Sequence, residues 1–380
     1  MTSAGPRLVI VGGGVIGAAT ACFLAREHGI SATVLERDPS YARASSALSA
    51  SSIRQQFSTA INIALSRESL AYLRGIAEEI GLVERGYLYL ASDAGRDALV
   101  ANHATQRALG VDVVLLEPAA LRARFPWIGV EDIALASLGL AGEGWFDGWS
   151  LLQHFRRAAI AGGARFVPAD ATRLVDAGGR IAGVLAADGM RFDADAVLVA
   201  AGAWSSKLVA PLGVDLPVRA RKRDVFVLES PAALPGCPLV VDTSGVWFRP
   251  EGSGFIAGAP PRGDEADEAP LDAIDHGLFD DVIWPALARR VPGFEALRTS
   301  AAWAGYYEMN TVDHNALVGP LAGWRNLHLA CGFSGHGMQH APAIGRGVAA
   351  MLATGAWHAI DLAPLAPDRS APLLERNVIG

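Results

Sequence analysis

Two hydrophobic periods alternate along the chain. Leu8-Val9-Ile10-Val11 is an unbroken apolar run of strand length, the pattern of a strand covered on both faces. Small residues follow over 18–25 at helical length, and a second apolar run closes in Val34-Leu35, so the opening reads as strand, helix, strand. Residues 45–52 form a loop rich in serine and alanine, and 62–80 carry the spacing of an amphipathic helix. Strands are expected at 86–90 and 134–140, a helix at 149–161, and strands again at 165–168, 180–184 and 196–202. The last is apolar throughout and ends in Ala-Gly. Beyond it the pattern changes: 218–228 and 246–257 contain runs of period two joined by Pro and Gly turns, which predicts an antiparallel or mixed sheet. The acidic run 264–268 reads as a solvated loop, and 326–330 as a short strand. A glycine-rich turn at 332–337 leads into a helix reaching about 354, and the Pro-rich end, 361–380, is expected on the surface.

The first strand meets Gly12-Gly13-Gly14-Val15-Ile16-Gly17, glycines at G-x-G-x-x-G spacing. Gly12 permits the tight turn, Gly14 lets backbone approach a pyrophosphate, and Gly17 lets helix and strand pack closely. The N-terminus of the helix that follows offers unpaired N–H groups and a positive dipole end to phosphates. Glu36 lies nineteen positions past Gly17, where a carboxylate accepts both hydroxyls of an adenosine ribose. An acid there disfavours the extra phosphate of NADP, and the motif alone does not choose between FAD and NAD. Because a second glycine-rich strand-to-helix turn appears near the other end, the nucleotide domain is expected to be discontinuous. Its segments are 1–82, 145–215 and 315–380, with 83–144 and 216–314 forming a substrate domain. The fold class is α/β.

Composition narrows the field. The net charge of −7 argues against a nucleic-acid surface, and stretches such as 196–204 are too short to span a bilayer. Cys22, Cys237 and Cys331 are far apart, which fits a reducing compartment without disulfides. No metal site is expected among the nine histidines. Residues 1–7 are polar, with no signal-type apolar stretch, and the expected location is cytoplasmic.

Three blocks carry a resemblance: the 12–17 fingerprint, Ala200-Ala201-Gly202-Ala203-Trp204-Ser205, and Gly332-Phe333-Ser334-Gly335-His336-Gly337. In this order and spacing the whole chain resembles the D-amino-acid-oxidase/sarcosine-oxidase superfamily of flavoproteins. Ser52-Ile53-Arg54-Gln55-Gln56-Phe57-Ser58 and Tyr307-Glu308-Met309-Asn310-Thr311 look closest to sarcosine-oxidase beta-subunit-like and FAD-dependent oxidoreductase domain-containing proteins. The resemblance implies a Rossmann-type FAD-binding domain roofed by a second, mixed β-sheet substrate domain. It implies FAD as cofactor and hydride transfer from a secondary or N-alkylated, sarcosine-like amino acid, whose imine then hydrolyses. Gly12, Gly14, Val15, Ile16, Gly17, Glu36 and Arg37 would hold the cofactor from the first unit. Ser45, Ser51, Ser52, Ala171, Ala201, Gly202 and Trp204 would hold it along its length. Gly332, Gly335, His336, Gly337 and Met338 would meet it from the second glycine turn, where N–H groups favour negative charge on the flavin.

The resemblance also implies substrate roles. In monomeric sarcosine oxidases the arginine matching Arg54 grips the substrate carboxylate, a task suited to a planar guanidinium; the alternative is a structural ion pair. Tyr307 matches a substrate-facing tyrosine, while Tyr306 reads as packing. Arg219, Arg221 and Arg223 share one face of a strand, with Arg223 the candidate for the substrate cavity and the others solvated. His336 is read either as a flavin or substrate contact or as bonded to nearby backbone. The departures also count. Gly305 replaces the cysteine that attaches flavin in monomeric sarcosine oxidases, and 45–57 contain no histidine, so the FAD is expected to be non-covalent, with Cys331 the only residual thioether candidate. Gln339 stands where a lysine supports the carboxylate, and 255–258 lack the lysine that helps oxygen accept electrons. The acceptor is therefore open among oxygen, a quinone and an electron-transfer protein, and assembly is open between homo- and hetero-oligomer. Rival readings are a D-amino-acid or proline-type dehydrogenase and an assembly or partner subunit with little turnover.

Overall fold

Leu8–Val11 lies at the centre of a sheet, which is why all four of its residues are apolar and buried. The computed structural model describes residues 6–263 and 265–378. Leu8–Val11 pairs in parallel with Ala32–Glu36 on one side and Ala196–Val199 on the other. Arg165–Pro168 and Leu327–Cys331 extend the sheet in parallel, and Leu317–Pro320 closes one edge antiparallel. Alternate side chains divide between two cores. Leu8, Ile10, Val34 and Leu198 pack with Phe23, Phe155 and Ile344 of helices Val15–His28, Gly148–Ala161 and Gly337–Thr354. Val9, Val11, Leu35 and Val197 face Leu174 and Val184 of the antiparallel strands Ala171–Asp176 and Ile181–Ala186. Covering both faces removes the need for a polar side. The carboxyl ends of the parallel strands share one rim, where such sheets bind ligands.

Eight strands make a second sheet, in the order Arg298–Asn310, Val218–Glu229, Gly254–Gly258, Trp247–Glu251, Leu239–Val241, Tyr87–Ala91, Leu135–Gly139, Val113–Leu116. It is mixed: Leu239–Val241 and Tyr87–Ala91 run parallel, the remaining pairs antiparallel. Phe226, Phe248 and Phe255 on one face pack with Phe294 and with Leu287 of the helix Trp284–Arg290. The fold is α/β with mixed sheets, as the two periods predict.

Several local expectations are corrected. The helix expected at 62–80 runs Ala60–Arg74 and stops at Gly75, a poor helix former, although the apolar spacing continues to the buried Ile80. The 196–202 strand ends at Val199, because Gly202 takes φ +57° in the turn Gly202–Trp204. The acidic loop is not free in solvent. Glu265 pairs with Arg223 at 2.6 Å, the Asp267 carboxylate accepts the Ala220 N–H at 2.6 Å, and Glu268 pairs with Lys207 at 2.6 Å; Asp264 lies outside the described residues. The arginines alternating along Val218–Glu229 draw this loop in. Arg221 donates to the Glu265 carbonyl, and Arg219 to the Leu216 and Val218 carbonyls, rather than pointing into water. The chain end is more than a surface tail: Leu362 and Leu365 are buried, and Glu375 accepts from Ser58 and Asn62. Among the described residues no helix is long and apolar enough to cross a membrane.

Candidate active site

An elongated cavity runs from the rim of the first sheet to the second sheet. At one end Gly12, with φ +103°, turns the chain so closely against the next strand that a Cβ there would meet the Ala200 carbonyl oxygen at 2.2 Å. A Cβ on Gly17 would lie 2.0 Å from the Gly12 oxygen, so this glycine serves packing and does not line the cavity. Gly14, Val15 and Ile16 do line it, at the N-terminus of Val15–His28. Glu36 accepts the Gly13 N–H at 2.8 Å and the Asp38 N–H at 3.0 Å, and still presents its carboxylate to the cavity. The Arg37 guanidinium stacks 3.6 Å from the Trp204 ring centre beside Ala171. Ser45, Ser51, Ser52, Ala201 and Gly202 form the middle wall. A helix N-terminus, a ribose-competent carboxylate and a long polar wall fit an extended dinucleotide.

The far end is aromatic and closed by the second sheet. Tyr87, Arg223, Val225, Leu239, Val241, Trp247, Gly305, Tyr306, Tyr307 and Glu308 line it, with Gly335, Gly337 and Met338 opposite. Tyr307 is 39% exposed, yet protein surrounds it; the exposed surface faces the cavity, and burial raises its phenol above the usual range. Arg223 lies 5.1 Å from the Tyr307 ring centre, its charge offset by Glu265. Neither cysteine nor histidine appears on this wall among the described residues. Cys331 is wholly buried off it, its thiol pushed up by desolvation. Phe255 turns into the aromatic core and Ile256 is absent from the lining, so neither side chain reaches the cavity.

Arg54, His336 and Gln339 form a cluster beside this cavity. The Arg54 Nη1 group donates to the Gln56 carbonyl at 2.7 Å, and Nη2 lies 3.0 Å from His336 Nε2. Gln339 Oε1 accepts the Arg54 backbone N–H at 2.9 Å. Desolvation and the Arg54 charge push His336 down to about 3, so its ring is neutral and accepts from the guanidinium. It supplies no cation. The guanidinium also sits 3.9 Å from the Phe57 ring centre and lines a second cavity of about 210 Å³. Val241 belongs to both cavity walls. Among the described residues Arg54 has no carboxylate within ion-pair distance. Gly332, with φ +71°, lies behind the turn and donates its N–H to Glu308 at 2.9 Å.

The residue pattern misses several members of the site. Glu143 is fully buried, accepts the Gln55 and Gln56 N–H groups at 2.6 and 3.1 Å, and so fixes the segment carrying Arg54. Burial pushes its carboxyl up to about 7, against those hydrogen bonds. Its setting, Gly142-Glu143-Gly144, carries no recognisable signal. Glu308 stands beside Tyr307 on the cavity wall with nothing local to mark it as a site residue, and Glu375 enters the second cavity from a distant part of the chain. Among the described residues no cluster of side chains could hold a metal ion.

A family model described as FAD dependent oxidoreductase matches residues 7–351. The chain is 41% identical to FAD-dependent oxidoreductase domain-containing protein 1 of Xenopus laevis, over 98% of this chain and 84% of that protein. It is 28% identical to the mitochondrial sarcosine dehydrogenase of Homo sapiens, over 87% of this chain and 38% of that longer protein. The crystal structure of glycine oxidase from Geobacillus kaustophilus matches with a TM-score of 0.83 and 26% identity, covering 96% of this chain and 99% of that one.

Proposed function

The chain belongs to the family of FAD-dependent oxidoreductases, and from that premise we propose that it oxidises the C–N bond of a secondary or N-alkylated amino acid. The observation that carries this reading is Arg54: an enclosed guanidinium on the second cavity, which shares Val241 with the elongated one, with no carboxylate within ion-pair distance among the described residues. Desolvation disfavours this charge, Glu375 and Glu143 support it from beyond ion-pair distance, and an anionic ligand would meet it directly. A substrate carboxylate is such a ligand, and a bidentate grip would fix the amino acid's orientation. Sarcosine dehydrogenase and glycine oxidase among its relatives act on amino acids by name, which favours that class.

Bound FAD supplies the hydride acceptor, and the imine left on the substrate hydrolyses in water to an amine and an oxo product. Arg54 would hold the carboxylate, with neutral His336 and Gln339 keeping the guanidinium and its backbone in place. Tyr307 and Tyr87 would wall the reacting carbon and exclude water. Attachment of FAD is non-covalent in this reading, because Gly305 offers no side chain and the wall has no cysteine or histidine among the described residues. The reducing cytoplasm suits its three free, buried cysteines. The test is anaerobic mixing of holoprotein with glycine, sarcosine, proline and longer N-methyl amino acids. Bleaching of the flavin colour by a secondary or N-alkylated member supports the reading; bleaching by primary amino acids alone overturns it.

A further inference from the structure

We propose that Glu308 is an FAD-binding residue that meets the cofactor as a hydrogen-bond donor. The proposal rests on FAD binding and not on the identity of the amino-acid substrate. Glu308 lies near the end of the strand Arg298–Asn310, opposite Ala220. Its Oε2 accepts the Gly332 N–H at 2.9 Å, the Phe333 N–H also faces the carboxyl, and no described side chain hydrogen-bonds it. The carboxyl group occupies the gap between the turns at Gly202 and Gly337: a Cβ on Gly337 would lie 3.6 Å from Oε1, and one on Gly202 4.0 Å from Oε2. Both glycines and Glu308 line the elongated cavity. Backbone N–H groups therefore fix the carboxyl from one side, and its other side meets whatever fills the cavity.

The surroundings decide which role that carboxyl takes. Cys331, from the strand Leu327–Cys331, is a buried neutral thiol. Tyr306 shares the face of Glu308 and donates its hydroxyl to the Ala269 carbonyl. Across on Val218–Glu229, Lys222 pairs with Asp224, and beside it Lys207 pairs with Glu268. His336, on the glycine turn, is neutral and engaged with Arg54. No described cation pairs with Glu308. Burial pushes its carboxyl up to about 8, against the Gly332 and Phe333 N–H groups. At neutral pH the group is the acid, with one O–H to give. FAD carries acceptors along its whole length and an anionic pyrophosphate that disfavours a second negative charge nearby. Proton loss from Glu308 would remove the donor and add repulsion, so FAD should be held more weakly above about pH 8.

The experiment titrates apoprotein with FAD at about pH 6.5 and about pH 9.5, following flavin fluorescence, with circular dichroism to confirm folding. At the higher pH only about one thirtieth of a group titrating near 8 stays protonated, so wild-type affinity should fall on the order of tenfold to thirtyfold. Glu308→Gln, whose amide donates without titrating, should bind tightly at both pH values. Glu308→Leu should bind weakly at both. Equal wild-type affinity at the two pH values overturns the proposal, as does a Gln variant that loses affinity as the wild type does. FAD binding that stays tight throughout would leave the family cofactor in place and remove only the role of Glu308.

Discussion

At the scale of single residues, Arg54 concentrates the chemistry. Most arginines in this chain end in carboxylates, as Arg369 does on Asp313 at 2.6 Å and Arg290 on Asp132 at 2.8 Å. Arg54 instead bonds a carbonyl and a neutral imidazole. Its removal should therefore separate function from stability. Arg54→Ala is expected to lower kcat/KM by on the order of a hundredfold, about 3 kcal/mol, with the thermal midpoint nearly unchanged because no ion pair is broken. Arg54→Lys should recover only part, since an ammonium cannot reproduce the fork. Unaltered kinetics in the alanine variant, with a large fall in the melting temperature, would make Arg54 structural. This arginine was legible in the residues because it stands in a family-like segment; that no described carboxylate comes within ion-pair distance was not, since that depends on Glu143 and Glu375 satisfying other donors.

At the scale of elements, the parts dictated by local pattern were the readable ones. An apolar run meeting glycines implies a strand turning into a helix, and both such turns occur, at Gly12–Gly17 and at Gly332–Gly337. Long-range electrostatics was not readable: the acidic loop folds back because Arg221 and Arg223 lie on a strand more than forty residues away. Glu308 was hidden for the same reason, as nothing local announces that a carboxyl will be enclosed without a cation. The second turn also invites a test. Gly335 has φ +92°, and a Cβ there would lie 2.4 Å from the Tyr307 ring. Gly335→Ala should destabilise the protein by about 1–2 kcal/mol through the left-handed backbone, and displace Tyr307 enough to impair substrate reduction. A thermal midpoint and reduction rate equal to wild type would show that the ring yields freely.

At the scale of the whole molecule, two sheets enclose one elongated cavity, with a nucleotide end built from the first and an aromatic end roofed by the second. Fixed charge at the aromatic end bears on the electron acceptor. Oxygen reduction is helped by a desolvated cation near the flavin, but Arg223 is neutralised by Glu265, His336 is held neutral, and Arg54 in the proposed reading is engaged by the substrate carboxylate. Substrate-reduced protein is thus expected to reoxidise slowly in oxygenated buffer and much faster with a quinone or dye, as measured by stopped-flow absorbance; equally fast oxygen reaction would point to a true oxidase. The central claim, that this fold oxidises the C–N bond of an amino acid held at Arg54, is tested most directly by anaerobic single turnover with product analysis. One oxo product should form per flavin bleached by a secondary or N-alkylated amino acid, with both signals lost together at the same substrate concentration in Arg54→Ala. Bleaching without C–N cleavage, or equal turnover in the alanine variant, would contradict it.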